Sequence, residues 1–275
     1  MSQNSQDIGQ LQGRVLVFGG VYSNLQALQS MQKVAINLEI PPSNIICTGD
    51  ITGYCAQPSE CLDLIEEWGI HAIRGNVEQN IIDEVDDCGC NFAEGGRCDT
   101  FSRQWFPFVK KNMTSSNIQY LEELPNFISF YYANKKFRVV HGSEEHISEF
   151  VFKSTPWEIK ERNINLSHSD IILAGHAGIP FVDQQDGLSW LNAGVIGMPA
   201  NDGTTDVWYL LLNDADDDLT YEFHRLQYDF EQANVLMIQN RLPSTYAQTL
   251  LNGIWDNCEI LPEEEMQNQG KRLVL

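Results

Sequence analysis

Three apolar runs fall within the first 76 residues: RVLVF (14–18), NIICTG (44–49) and HAIRGN (71–76). Segments with helical periodicity separate them. Leu25, Leu28, Met31 and Val34 recur at helical spacing, with Ser23 and Gln26 as a capping box at the start. A second helix is predicted around residues 58–68. This βαβαβ pattern demands parallel strands whose carboxyl ends share one edge, with helices on the outside. No other feature restricts the possible folds as strongly.

The pattern loosens after residue 80. DDCGCNFAEGGRCD (86–99) is rich in Gly, Cys and Asp and reads as loop. Helices are predicted around 99–111 and 115–124. From Pro125 the chain turns strand-rich, with FISFYYA, KFRVVHG, DIILAGHAG, LSWLNAG, TDVWYLLL and LTYEFHRL joined in part by short polar turns. The tail, 228–251, returns to helix. Residues 1–12 are polar, lack the basic-then-apolar order of a signal peptide, and read as a flexible leader. Residues 13–275 read as one α/β domain of two packed sheets with outer helices, ending in a helical tail.

Four of the apolar runs end in a polar residue beside a glycine: Asp50 in CTGDITGY, Asn76 in IRGNVE, His141 in VVHGS and His176 in LAGHAGIPF. Glycine lets the backbone turn sharply there and leaves room beside the side chain. Singly, each has an ordinary reading as a turn, a helix cap or a hydrogen-bonded histidine. Together, a carboxylate, an amide and two imidazoles make a mixed oxygen and nitrogen donor set. That set suits a first-row divalent transition metal such as Mn, Fe or Zn, and not Ca.

In their order, these motifs resemble those of the calcineurin-like metallophosphoesterase superfamily. GGVYSNLQAL (19–28) stands where the family has an Asp-x-His-Ser-Asn-Leu turn. GDITGY, RGNVE, VVHGS, GHAGIPF and NAGVIGMPANDG follow in the family's order, so the resemblance covers almost the whole chain. It implies a four-layer αββα sandwich, two mixed sheets flanked by helices, with a metal site at one sheet edge. In the family, two metals flank a bridging hydroxide that attacks phosphorus in line, and they neutralise charge on the phosphoryl oxygens.

The departures from the family pattern are specific. Its first-motif Asp and His fall on Gly20 and Tyr22, its His after Gly-Asn on Val77, and its final His on Gly178. By the family's assignment, one half-site keeps only the bridging Asp50. The other keeps Asp50, Asn76, His141 and His176. The resemblance therefore implies one metal per chain. Val77 can neither contact the phosphate nor protonate a leaving group, whereas Glu78, which orients the family's histidine, is retained. His146 and Glu78 are candidate catalytic residues; Arg74 and Tyr22 are candidate contacts to a phosphoryl oxygen. Tyr22 has a second reading, as filler of the vacated space.

Seven cysteines, an odd number with no sign of export, point to the reducing cytoplasm. Cys88-Gly-Cys90 with Cys98, and Cys55 beyond Asp50, are candidate soft ligands for the vacated half-site; the ordinary reading is buried thiols packing a loop. A net charge of −21 argues against nucleic acid, and no apolar run is long enough to span a membrane. The partner expected is a small phosphorylated substrate, with the oligomeric state open. Three functions stay open: a single-metal phosphoric-ester hydrolase (phosphatase or phosphodiesterase), a degenerate relative that binds a phosphorylated ligand or partner protein, and a cysteine-dependent metal or redox protein.

Overall fold

In the computed structural model, which describes residues 4–90, 92–215 and 218–275, the chain begins β1 (Ser5–Gln10), β2 (Val15–Phe18), α1 (Leu25–Asn37), β3 (Ile45–Cys47), α2 (Pro58–Trp68), β4 (His71–Ala72) and α3 (Asn76–Ile82). It continues through α4 (Arg97–Lys111), α5 (Ser115–Glu123), β5 (Phe127–Tyr132), β6 (Lys135–Val139), α6 (Trp157–Leu166), β7 (Ile171–Ala174), β8 (Phe181–Gln185) and β9 (Leu188–Asn192). It ends with β10 (Val207–Asn213), β11 (Thr220–Leu226), α7 (Phe230–Gln239), α8 (Ser244–Asn252) and α9 (Glu263–Met266). The strands form two mixed sheets, ordered β1-β5-β6-β7-β9-β8 and β11-β10-β2-β3-β4.

Side-chain alternation along the strands sets the layers, because successive residues point to opposite faces. Val15 and Val17 pack with Ile46 and Leu210 against Phe130, Phe137, Val139 and Leu173 of the other sheet. Their neighbours Leu16 and Phe18 face the opposite way, onto Leu28 and Met31 of α1, Leu62 of α2 and Trp105 of α4. In the six-stranded sheet Ile172, Ala174 and Trp190 turn outward onto Ile164 of α6. Strands buried on both faces explain the unbroken apolar runs. The result is helix, sheet, sheet, helix, the four layers expected.

Three local expectations are corrected. The leader is not free over its whole length: Ser5–Gln10 pairs in parallel with β5, with Ser5 opposite Phe127 and Asp7 opposite Ser129. Its side chains are mostly exposed, so an edge strand here needs backbone pairing and no apolar alternation. The third run, 71–76, is strand only at His71–Ala72. The Arg74 N–H goes to the Pro125 carbonyl, and Gly75 caps α3, so Asn76 opens a helix and does not end a strand. The first helix is capped by Asn24, whose side chain accepts from the Ala27 N–H, while the Ser23 hydroxyl accepts from Gly53. One strand, β8, lay unread within 181–185; it pairs antiparallel with β9 across Asp186-Gly187, both at positive φ, as a tight hairpin requires.

Candidate metal centre

Both sheets deliver ligands to the same edge. Asp50 follows β3 in one sheet, His141 and His176 follow β6 and β7 in the other, and Asn76 sits in the first turn of α3. Close approach of these segments depends on two glycines. A Cβ on Gly49, which has φ +95°, would lie 2.8 Å from His141 Nδ1; one on Gly75 would lie 2.0 Å from Asp50 Oδ1.

The four side chains converge. His141 Nε2 lies 2.9 Å from Asn76 Oδ1, 3.1 Å from His176 Nδ1 and 3.3 Å from Asp50 Oδ2. All four residues are buried. Asp50, His141 and His176 are the one group of three among the described residues whose Asp, Glu, His or Cys ligand atoms lie close enough to hold an ion.

The neighbours fix which atoms face inward. His141 Nδ1 donates to the Thr48 carbonyl at 2.7 Å, which turns Nε2 to the centre. Asn76 Nδ2 donates to the Cys88 carbonyl at 2.9 Å, an obligate acceptor, so the amide oxygen must face the centre. A carboxylate oxygen, an amide oxygen and two imidazole nitrogens therefore meet in one buried space. With both rings neutral they form a mixed oxygen and nitrogen donor set that suits a first-row divalent metal. Burial disfavours a charged His141, but Asp50 outweighs it and raises the imidazole above its usual pKa. Burial, and then His141, hold His176 down to about 3, so it stays neutral, as a ligand must.

Glu78 does not face the centre. One carboxylate oxygen accepts from the N–H groups of Asp50 and Gly75, the other from the N–H and hydroxyl of Thr52, all within 2.9 Å. It clamps the Asp50 turn to α3. Burial, then the charge of Asp50, raise its pKa. Clamping matters because Tyr22, Ser23 and Asp50 all have positive φ (52°, 58° and 52°), a conformation costly for residues with side chains.

Aromatic rings pack the turn around Gly20. The ring of Tyr22 lies over Gly20 and packs on Tyr54 at 4.5 Å between centroids. Tyr54 in turn stacks on Trp105 and meets Tyr246. Gly178 has φ +73° and faces the Trp255 ring. The N–H groups of Tyr22, Ser23 and Asn24 are taken by the carbonyls of Asp50, Ile51 and Val21, so these three amides are not offered to an anion.

The other candidates are dispersed. Arg74 donates to the carbonyls of Glu122 and Leu124 at the end of α5 and to Gln79, which turns its guanidinium away from the ligands. His146 is exposed on the loop after His141 and does not line the pocket beside the centre. Cys88 and Cys90 bring their sulfurs to 2.7 Å, and Cys90 accepts from Asn76 Nδ2 at 3.2 Å, but neither joins a ligand cluster. Cys98 lies against Asn257, and Cys55, pushed up to about 12 by burial, lies near the Gly197 carbonyl. Sequence reasoning missed the carbonyls of Thr48 and Cys88, which leave no trace in residue type. It also missed Phe150, stacked on His176 at 4.2 Å, and the segment around Trp255.

Comparison with known proteins agrees with this fold. Residues 17–217 match the family model of the calcineurin-like phosphoesterase superfamily domain. The chain is 26% identical over 256 residues to an uncharacterized protein of Methanocaldococcus jannaschii, covering 87% of this chain and 98% of the relative. Its fold is similar to the crystal structure of a metallophosphoesterase from Sphaerobacter thermophilus, with TM-score 0.69, 23% identity, and coverage of 89% of this chain and 100% of that one. It is also similar to a hypothetical protein from Pyrococcus horikoshii, with TM-score 0.73, 17% identity, and coverage of 88% and 99%.

Proposed function

The chain belongs to the calcineurin-like phosphoesterase superfamily, and on that premise we propose that it hydrolyses phosphoric esters with a single divalent metal ion. The observation that carries this reading is the convergence of Asp50, Asn76, His141 and His176, and the packing of the Tyr22 ring over Gly20 supports a single ion. When bound, Mn, Fe or Zn supplies positive charge against the phosphoryl oxygens and makes water a better nucleophile.

The chain's own residues do the rest by position. Thr48 and Cys88 aim the ligand atoms through their carbonyls. Glu78 holds the Asp50 turn in its left-handed conformation. Val77, fully buried, offers no proton to a departing oxygen, and Tyr22, whose pKa burial raises well above the usual range, keeps its own. Proton transfer to the leaving group thus falls to solvent.

The test is turnover of a phosphoester panel by metal-loaded protein. Activity is expected to vanish with chelation, to return with Mn, and to be lost in Asp50→Ala and His141→Ala. Activity that survives both substitutions contradicts the reading.

Val77 and Tyr22 also favour a second reading, a protein that binds a phosphorylated ligand or partner without turnover. It predicts binding with no hydrolysis across the same panel. The cysteine-redox alternative draws little from the geometry, because burial raises the Cys90 and Cys55 thiols out of the reactive range. All seven cysteines are free, which supports a reducing compartment such as the cytoplasm. Among the described residues no helix is long and apolar enough to cross a membrane.

A further inference from the structure

A pocket opens directly onto Asp50 and His176, and its walls are mainly aromatic and aliphatic, with Tyr54, Phe150, Met198, Tyr246, Trp255 and Ile260 among them; Thr249, Asp256 and Asn257 add polar atoms at one side. Among the described residues no lysine or arginine lines it. We infer that this pocket takes a phosphodiester bearing an aromatic ester group, a monoanion, in preference to a phosphomonoester dianion; the inference rests on the hydrolase reading above.

Charge is the first argument. A divalent ion offset by the Asp50 carboxylate leaves at most one net positive charge, with the Glu78 carboxylate behind the Asp50 turn, so one phosphoryl charge is as much as the centre matches. A dianion needs a further cation, and the walls supply none. The second acidic side chain lining the pocket, Asp256, already binds Arg97 outside it, and the whole chain is strongly acidic.

Shape and chemistry of the walls are the second. Phe150 stacks on His176 at 4.2 Å, so an aromatic face continues outward from the ligand itself. The Trp255 Nε1–H is committed to the Pro199 carbonyl, which fixes its ring in the wall. A flat ring gains by stacking here, while a polyol would lose hydrogen bonds to water without replacement.

The leaving group is the third. Hydrolysis joins a water oxygen to phosphorus and breaks the bond from phosphorus to the aryl oxygen. The aryloxide departs with that electron pair, and the water proton passes to solvent. An aryloxide needs no proton in order to leave, which suits a site with Val77 where an acid would stand.

The test uses three esters with one leaving group: bis(4-nitrophenyl) phosphate, methyl 4-nitrophenyl phosphate and 4-nitrophenyl phosphate. For metal-loaded protein, kcat/KM for the bis-aryl diester is expected to exceed that for the methyl diester by about tenfold or more, the gain from burying one ring. The monoester is expected to be the poorest of the three. Trp255→Ala should collapse the ratio toward the statistical advantage of two identical leaving groups, and Trp255→Phe should keep most of it. Equal rates for the two diesters, or a preference for the monoester, overturns the inference. Calorimetry with diphenyl phosphate and dimethyl phosphate separates this from the hydrolase reading. If nothing is hydrolysed but diphenyl phosphate binds the tighter, the pocket assignment stands and the hydrolase reading falls. If the two bind alike, the pocket assignment falls whatever the turnover.

Discussion

The ring of Tyr22 occupies the space a side chain on Gly20 would need: a Cβ there would stand 2.5 Å from Tyr22 Cε1 and 2.6 Å from Cζ. The two residues are complementary. A side chain at position 20 and the Tyr22 ring in this orientation compete for the same space, so the two positions form one packing unit. Gly20 has no left-handed backbone to protect; the ring alone demands glycine there.

It follows that Gly20→Asp on its own should destabilise the fold by about 1–3 kcal/mol through overpacking. Gly20→Asp combined with Tyr22→His should recover much of that loss and raise metal content above one ion per chain. Denaturant unfolding of the two single variants and the double variant, with elemental analysis, measures both. Strict additivity of the two substitutions would contradict the coupling.

Val77 predicts a steep dependence on the leaving group. Without a general acid, esters of acidic phenols should outpace esters of alkyl alcohols by more than their solution reactivities explain. The missing acid is worth on the order of 10²-fold for a poor leaving group. A series of diesters graded by leaving-group acidity checks this, and Val77→His should flatten the slope if the histidine is accommodated. A shallow slope in the unmodified chain would reveal a proton donor other than residue 77.

The thiols of Cys88 and Cys90 are expected to be dispensable for metal binding, because it is the Cys88 main-chain carbonyl that orients Asn76. Cys88→Ser with Cys90→Ser should leave metal content unchanged. Asn76→Ala should lower metal affinity, since it removes one of the four converging atoms. Loss of metal in the double cysteine variant would move the thiols into the ligand set.

Asp50, His141 and His176 were legible because each ends a buried apolar run beside a glycine, a pattern that survives without knowledge of the fold. The layers were legible for the same reason, since strands buried on both faces cannot hide among polar residues. Other features depend on contacts distant in sequence. Arg74 looks available until α5 places two carbonyls against it. The edge strand Ser5–Gln10 carries no apolar signal because its side chains face solvent. Tyr22 reads as a phosphoryl contact or as filler until its ring is seen over Gly20.

The proposed chemistry uses one metal per chain, held by Asp50, Asn76, His141 and His176. Anomalous diffraction from crystals grown with excess Mn locates every bound ion. A single peak per chain is expected, within ligand-bond distance of those four side chains. Two adjacent peaks, or one peak away from His141 and His176, would contradict it.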